Sequence, residues 1–553
     1  MHLILAAILL LAAPGSRTDI YPLPLTALEA EAMVDSLGRD YIQMKAAFQP
    51  HWATAMGIAG YDGALARYTQ RGVSRRLRKV FGIKRKLDML PADSLSITGW
   101  VDHQLLLSEI QTLEHRFAGE VSWRRSPLPY ADAIIEGVVN LMLSGEEDSL
   151  SEHLASRLRA IPDVVGDART NVTDPISLHC EVAASDLRAF LPFLDMESLR
   201  TDPVINVDVV TPEMVSMART SLEVFATYID SLATGADIGY GLGAEEYSEY
   251  LKTAYMLEEP LDELIAYGER ALDQAKSMIQ SWSDGESHGP VFHYVGNEGP
   301  VAEYEAAMAA TLSDIERLDL LVLTRADSLV AVKPRVPLVP VLEGPLYRPP
   351  AAPEGSSGTV YLQTAGPSGD ADVMVRSWRW AEPLHSRYPA LHPSEVRLLE
   401  NPSMTRRHVR SGIGRDGWDL YFRTLQGQPV PVQGLEQTGP WRDLAYHAAS
   451  AIAEIRIHTG EFTLEVAAGF IAASAGRPPE LALQDARRYA VAPGSGIGYL
   501  VGRREILRLK ERYKKVRRNS FDLKEFHDTL LSCGYLPPYL LSIEVMSKGM
   551  GRE

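Results

Sequence analysis

The stretch "EEPLDELIAYGERALDQAKSMIQSW", residues 258–282, decides the fold class. Pro260 takes a first-turn position behind two acids, and Leu261, Leu264, Ile265, Leu272, Ala275, Met278, Ile279 and Trp282 recur along one stripe. That is one face of a long amphipathic helix. "SLSITGWVDHQLLLSEIQTLEHRF", residues 94–117, repeats the pattern, as do segments 29–48, 143–160, 212–232, 303–331, 443–458, 463–475 and 497–517. Strand candidates are few: "GTVYLQ" at 358–363 and "VINVDVV" at 204–210. The reading is a mainly α fold with a small strand element just before His385.

The chain has 553 residues, 46% hydrophobic and 23% charged, ample material for a core. A formal net charge of -17 argues against nucleic acid as a partner, since that affinity comes from Lys and Arg neutralising phosphates. At the N-terminus an apolar run from Leu3 to Ala13 precedes Ala13-Pro14-Gly15, which reads as a signal peptide over residues 1–18. The mature chain is then expected as an exported protein, periplasmic or extracellular, without a transmembrane segment. Residues 19–553 read as a single α-rich unit, and the Pro- and Gly-rich 333–357 segment marks a lobe boundary or a loop across a cleft. Two cysteines, Cys180 and Cys533, are too few for a disulfide framework.

"WRWAEPLHSRYPALHPSEV", residues 378–396, sets His385 and His392 seven apart. A helical zinc-peptidase site needs His-Glu-x-x-His, two ligands one turn apart with a glutamate base beside the first. None of the fourteen histidines is followed by Glu, and no two are four apart.

Several ordered motifs together carry a resemblance. They are "YDGALARYT" (61–69), "SPLPYADAIIEGVVNLML" (126–143), "EEYSEYLKTAYMLEEPLDEL" (245–264), "RDGWDLYFRTL" (415–425), "RRYAVAPGSGIGYLVG" (487–502) and "FDLKEFH" (521–527). Over residues 25 to 545 the chain resembles the bacterial "domain of unknown function 885" proteins, which look like distant relatives of α-helical zinc carboxypeptidases. The resemblance implies a large helical zinc-peptidase-like fold with a cleft. It also implies a zinc motif His-Glu-x-x-Pro-Gly-His-His followed, about thirty residues on, by Glu-Gly-Trp-Ala-Leu-Tyr.

Here the motif is degraded. Aligning Pro389 with the family proline puts His385 at the first histidine, Ser386 at the glutamate, Ala390 at the glycine, and Leu391 and His392 at the paired histidines. Asp416, 31 residues after His385, stands at the later glutamate. A serine cannot replace a carboxylate base worth roughly 10²- to 10⁴-fold. Leu391 removes an imidazole, and a one-residue shift to His392 turns the side chain by about 100° on a helix. "HTGEF", residues 458–462, also departs from the family's Asp-Thr-Gly-x-His.

The resemblance therefore points to a pseudoenzyme, a metallopeptidase-like protein without catalytic residues or cofactor, whose cleft binds a peptide or protein. Its alternative is an active metal-dependent hydrolase holding zinc on a rearranged set of His385, His392 and Asp416, with Glu395 or Asp419 nearby. The residues it implies for substrate binding are Trp418, Tyr421, Arg488, Tyr489 and Tyr499, of which Trp418 and Tyr421 serve equally well as helix packing. "APGSGIGYLVG", residues 492–502, imitates a phosphate loop, but without a preceding strand its glycines read as a sharp turn and a close helix approach. His447 and His458 are about 16 Å apart along one helix and read as independent solvated or capping residues.

Overall fold

Helices begin in this chain where a short polar side chain can accept from the first free N–H groups. Thr26 does so in a capping box with Glu29, and Thr69, Ser96, Thr463 and Asp522 cap four later helices. The computed structural model describes residues 26–119, 122–144, 149–200, 204–233, 239–283, 305, 308–309, 312–335, 346–350, 357–363, 382–425 and 439–551.

Within them the helices of ten or more residues are α1 (Ala27–Phe48), α2 (Gln70–Asp88), α3 (Ile97–Glu114), α4 (Leu128–Ser144), α5 (Leu150–Asn171), α6 (Ser177–Phe190), α7 (Pro212–Ala233), α8 (Ala244–Tyr255) and α9 (Leu261–Ser283). Three short strands follow, β1 (Val330–Arg335), β2 (Leu346–Arg348) and β3 (Gly358–Gln363). The second half holds α10 (Glu382–Glu400), α11 (Gly412–Leu425), α12 (Gly439–His458), α13 (Leu464–Ala475), α14 (Pro479–Val491), α15 (Ile497–Arg517), α16 (Leu523–Ser532) and α17 (Pro538–Gly549). The fold is mainly helical with one small sheet in order β1-β3-β2, parallel between β1 and β3 and antiparallel between β2 and β3. The sheet precedes α10 in the chain, as the sequence predicts.

One large apolar core joins α1 to α7 with residues of α11, α15, α16 and α17, running from Val34 to Val545. A second core packs α9 on α12 together with α8, α11 and α15, and a third lies among α12, α13 and α14. In α15 the basic run buries Ile506, Leu509 and Tyr513, while Arg504 and Arg508 pair with Glu259 and Arg517 with Glu525. Both cysteines are buried and free, and burial pushes the Cys180 thiol up to about 11 and that of Cys533 to about 12.

Two expected elements differ. "VINVDVV" is a turn: Asn206 Oδ1 accepts from the Asp208 N–H, and its carbonyl accepts from Val209 and Val210. This local bonding competes with a strand ladder. The 303–331 helix stops early, because Asp319 enters the left-handed region at φ 52° and Leu320 donates back to Ile315. A second capping box at Thr324 and Asp327 then opens a short 3₁₀ turn before β1.

α11 and α15 cross at glycines. A Cβ on Gly502 would lie 2.1 Å from the Ile413 oxygen and 2.6 Å from the Gly417 Cα. Only hydrogen fits there. Gly502→Ala is expected to lower stability in urea unfolding by about 3 kcal/mol, the upper range for overpacking. Gly412→Ala, with nothing within 4 Å of the added carbon, is expected to change it by no more than about 0.5 kcal/mol.

Candidate functional site

The crossing of α11 and α15 brings Asp416 beside the start of α15, where its Oδ2 lies 3.6 Å from the Cβ position of Gly498. Asp416 is half-buried; burial, then the Tyr250, Glu454 and Asp416 charges, hold the Tyr255 hydroxyl well above its ordinary range, while at Arg415 burial lowers the guanidinium and the Asp416 charge outweighs it together with neighbouring groups. Next to Gly498, Tyr499 stacks on His447 of α12, ring centroids 4.0 Å apart at 15°. These groups adjoin a polar stripe on α12.

That stripe consists of Asp443, His447, Ser450, Glu454 and His458, spaced three and four residues apart and all buried. The spacing gives one helix face. Asp443 and Asp419 both pair with the buried Arg423, whose Nη2 also lies 3.5 Å from His447 Nε2. Ser450 accepts from the Tyr489 hydroxyl at 2.8 Å, and Tyr446 donates to Asp485 at 2.9 Å. His458 Nε2 donates to the Tyr489 carbonyl at 3.1 Å, and burial lowers its pKa to about 4. His447 and His458 are thus not solvated: apolar neighbours and internal partners hold both inside.

Glu454 organises the adjacent loop. Its carboxylate accepts from the backbone N–H groups of Gly494, Gly496 and Ile497 and from the Tyr247 hydroxyl at 2.6 Å. Gly494 has φ +93°, a conformation that turns successive N–H groups toward one anion. The phosphate-loop imitation in the sequence is therefore a real anion cradle, filled by the chain's own glutamate. Burial pushes Glu454 up to about 7 against these donors.

The proposed binding residues separate into two groups. Trp418 is 1% exposed and donates to the Ala390 carbonyl at 2.7 Å, while Tyr421 is buried with its hydroxyl 2.9 Å from His527 Nε2. His527 donates through Nδ1 to the Leu320 carbonyl at 2.8 Å, so these three rings pack the large core. Tyr489 is also buried, beneath Tyr446 and Arg488. Arg488 keeps 57% of its side chain open, 3.7 Å from Asp485, and Tyr499 is half-buried. Arg488, Tyr489 and Tyr499 thus border one polar seam, while Trp418 and Tyr421 face another side of α11.

Of the expected metal ligands, His385 lies on α10, next to Ser386 at the position of the base, and both side chains fall outside the described residues. His392 is fully buried against Gly358. Its Nε2 faces the Ala326 carbonyl at 3.0 Å, which can only accept, so Nε2 carries the proton. Burial lowers its pKa, leaving Nδ1 unprotonated to accept from the Tyr347 hydroxyl at 2.7 Å. Both ring positions are occupied. Leu391 is buried as an apolar residue, Glu395 is held by Arg410 at 2.9 Å and by the Tyr535 hydroxyl at 3.1 Å, and Asp419 is held by Arg423. Among the described residues no three His, Cys, Asp or Glu side chains converge on one ion.

The chain matches, over residues 50–545, the family described as "Bacterial protein of unknown function (DUF885)", and it belongs to that family. Its fold is similar to two solved structures. One is a candidate lipoprotein of unknown function from Shewanella oneidensis, with TM-score 0.71 and 17% identity, covering 92% of this chain and 98% of that one. The other is a candidate lipoprotein from Colwellia psychrerythraea, with TM-score 0.77 and 15% identity, covering 94% and 100%. No curated protein matches the chain.

Glu454→Ala leaves three backbone donors and a buried tyrosine hydroxyl without an acceptor, and is expected to lower stability by about 3 kcal/mol or more in chemical unfolding. Glu454 titrates near 7 when folded, above its ordinary 4.5, so its cost to stability is absent below about pH 4.5 and complete above about pH 7. Wild-type stability accordingly falls as pH rises through that window. Glu454→Gln is expected to flatten that part of the curve.

Proposed function

We propose that this chain is an exported, metallopeptidase-like protein that has lost zinc hydrolysis, or retains it only feebly, and uses its cleft to bind a peptide or protein segment. The observation that carries the reading is His392, whose two ring nitrogens are both committed within the protein. Ser386 in place of a carboxylate base and Leu391 in place of an imidazole point the same way. Export rests on the apolar run from Leu3 to Ala13, and the likeness to two candidate lipoproteins agrees with it. Among the described residues no helix is long and apolar enough to cross a membrane.

Arg488 is the anchor of the binding reading. Its side chain is more than half open, and a guanidinium can clamp a carboxylate through two parallel N–H donors. Tyr499, half-buried and stacked on His447 of α12, adds an aromatic ring to the same seam. The ligand this favours is a peptide with a free C-terminal carboxylate.

In elemental mass spectrometry the zinc-supplemented wild type is expected to stay empty, while the Ser386→Glu, Leu391→His double variant takes up zinc. One ion per chain in the wild type would favour the rearranged hydrolase instead. A mixture of peptides with free C-termini is expected to bind without being cleaved, and Arg488→Ala to weaken binding about tenfold, or about 1.4 kcal/mol. Amidated peptides bound as tightly as free acids would remove Arg488 from the site.

A further inference from the structure

One surface helix carries charge opposite in sign to the chain as a whole. Against a net charge of -17, α2 reads "QRGVSRRLRKVFGIKRKLD", with eight Arg and Lys and a single acid, Asp88. Val73, Val80, Ile83 and Leu87 are buried where α2 packs on α1 and α3, and Arg76 turns inward over the Phe48 ring at 3.8 Å. Lys84 pairs with Asp88 at 2.9 Å. The remaining six, Arg71, Arg75, Arg78, Lys79, Arg85 and Lys86, are exposed, and among the described residues none pairs with a carboxylate.

Their spacing places them on one strip, opposite the buried face. Steps of four and three residues run through Arg71, Arg75, Arg78, Gly82, Arg85 and Met89, with Lys79 and Lys86 flanking on one side. The strip is about 30 Å long at 1.5 Å per residue, and a Cβ on Gly82 would meet nothing within 4 Å, so its middle is open. Arg75 stands one turn from Arg71, Arg78 and Lys79, where like charges repel and cost helix stability. Two large apolar side chains adjoin the cations: Phe81 is 44% exposed, and Met89, at the helix end, is 56% exposed. A face shaped for solubility alone mixes signs and keeps such groups covered. Cations and apolar tips together match an anionic lipid surface, whose headgroups take the charges and whose acyl boundary takes the tips. A nucleic acid would answer the charges, but its phosphate backbone gives Phe81 and Met89 no apolar partner.

We propose that the outer face of α2 docks the protein side-on to an anionic phospholipid surface. The six cations hold lipid phosphates, and Phe81 and Met89 dip toward the acyl boundary. The core already holds the apolar stripe of α2, so the contact is peripheral and reversible rather than an insertion of the helix. The acidic remainder of the chain does not prevent it, because exposed charges further apart than about 8 Å are largely screened at physiological ionic strength. That acidity instead sets the orientation, turning α2 toward the surface and the rest of the molecule away. The inference is independent of zinc chemistry and of the peptide reading, since Arg488 lies on α14 and no residue of α2 takes part there.

The test is co-sedimentation of the full mature chain with vesicles of phosphatidylcholine alone and of phosphatidylcholine with about one-third phosphatidylglycerol. The wild type is expected to bind the anionic vesicles at least about tenfold more tightly, and to lose that preference between about 0.1 M and about 1 M salt, where the Debye length falls from about 10 to about 3 Å. One cation at an anionic surface is worth about fivefold in partitioning, so the triple variant Arg75→Gln, Arg78→Gln, Arg85→Gln is expected to bind about a hundredfold more weakly. Its melting temperature is expected to be no lower than that of the wild type, since Gln keeps the helix and the repulsion is relieved. Phe81→Ala with Met89→Ala is expected to weaken vesicle binding about fivefold while keeping the salt dependence. Equal binding to both kinds of vesicle, or undiminished binding by the folded triple variant, overturns the proposal. Tighter binding to duplex DNA than to anionic vesicles, unaffected by the Phe81 and Met89 changes, overturns it in favour of a nucleic acid.

Discussion

The contact on which the second half of the molecule depends is the glycine crossing of α11 and α15. With hydrogen in place of side chains at Gly417 and Gly502, the two backbones meet at a distance no other residue permits. This close approach carries Asp416 and Tyr499 to the same end of the crossing and brings the 494–497 turn over α12. Glu454 then fixes that turn from below through its backbone N–H groups. Packing and polar bonding therefore constrain each other: the loop cannot keep its cradle if the helices separate.

A second theme is that interior charge is answered from within the chain. Arg423 has Asp419 and Asp443, Arg406 has Asp102 and Glu544, Arg397 has Asp327, and Glu395 has Arg410. Such partners offset the desolvation that burying an ion costs, and the buried Arg157 is held instead by the Gly137 and Tyr61 carbonyls and the Thr54 hydroxyl. The occupied nitrogens of His392 belong to the same internal bonding, between α10, β2 and the turn before β1.

Much of the fold was legible in the sequence because apolar stripes and caps are local signals. The helices at 212–233, 464–475 and 497–517 and the strand at 358–363 lie within a residue of their expected bounds. The misses have local causes too: a side-chain turn at Asn206 and a left-handed residue at Asp319 override periodicity. "FDLKEFH" resolves into ordinary physics, Asp522 as a helix cap and Phe526 and His527 as core. The site was less legible. The α12 stripe could have been found from polar residues at three- and four-residue spacing within "RDLAYHAASAIAEIRIH", residues 442–458, but nothing local says that this polar face turns inward. Nor does sequence reveal that Glu454, 40 residues before Gly494, is the anion that fills the glycine loop.

His392 is a structural residue, with both ring nitrogens committed within the fold. The most direct test is ¹⁵N NMR of the His392 ring in the full-length protein, before and after addition of excess zinc. The expected result is a neutral ring protonated at Nε2, with Nδ1 accepting a hydrogen bond and both resonances unmoved by the metal. A ring whose nitrogen shifts move on zinc addition to those of a metal-bound imidazole, with loss of the Tyr347 hydrogen bond, would contradict it.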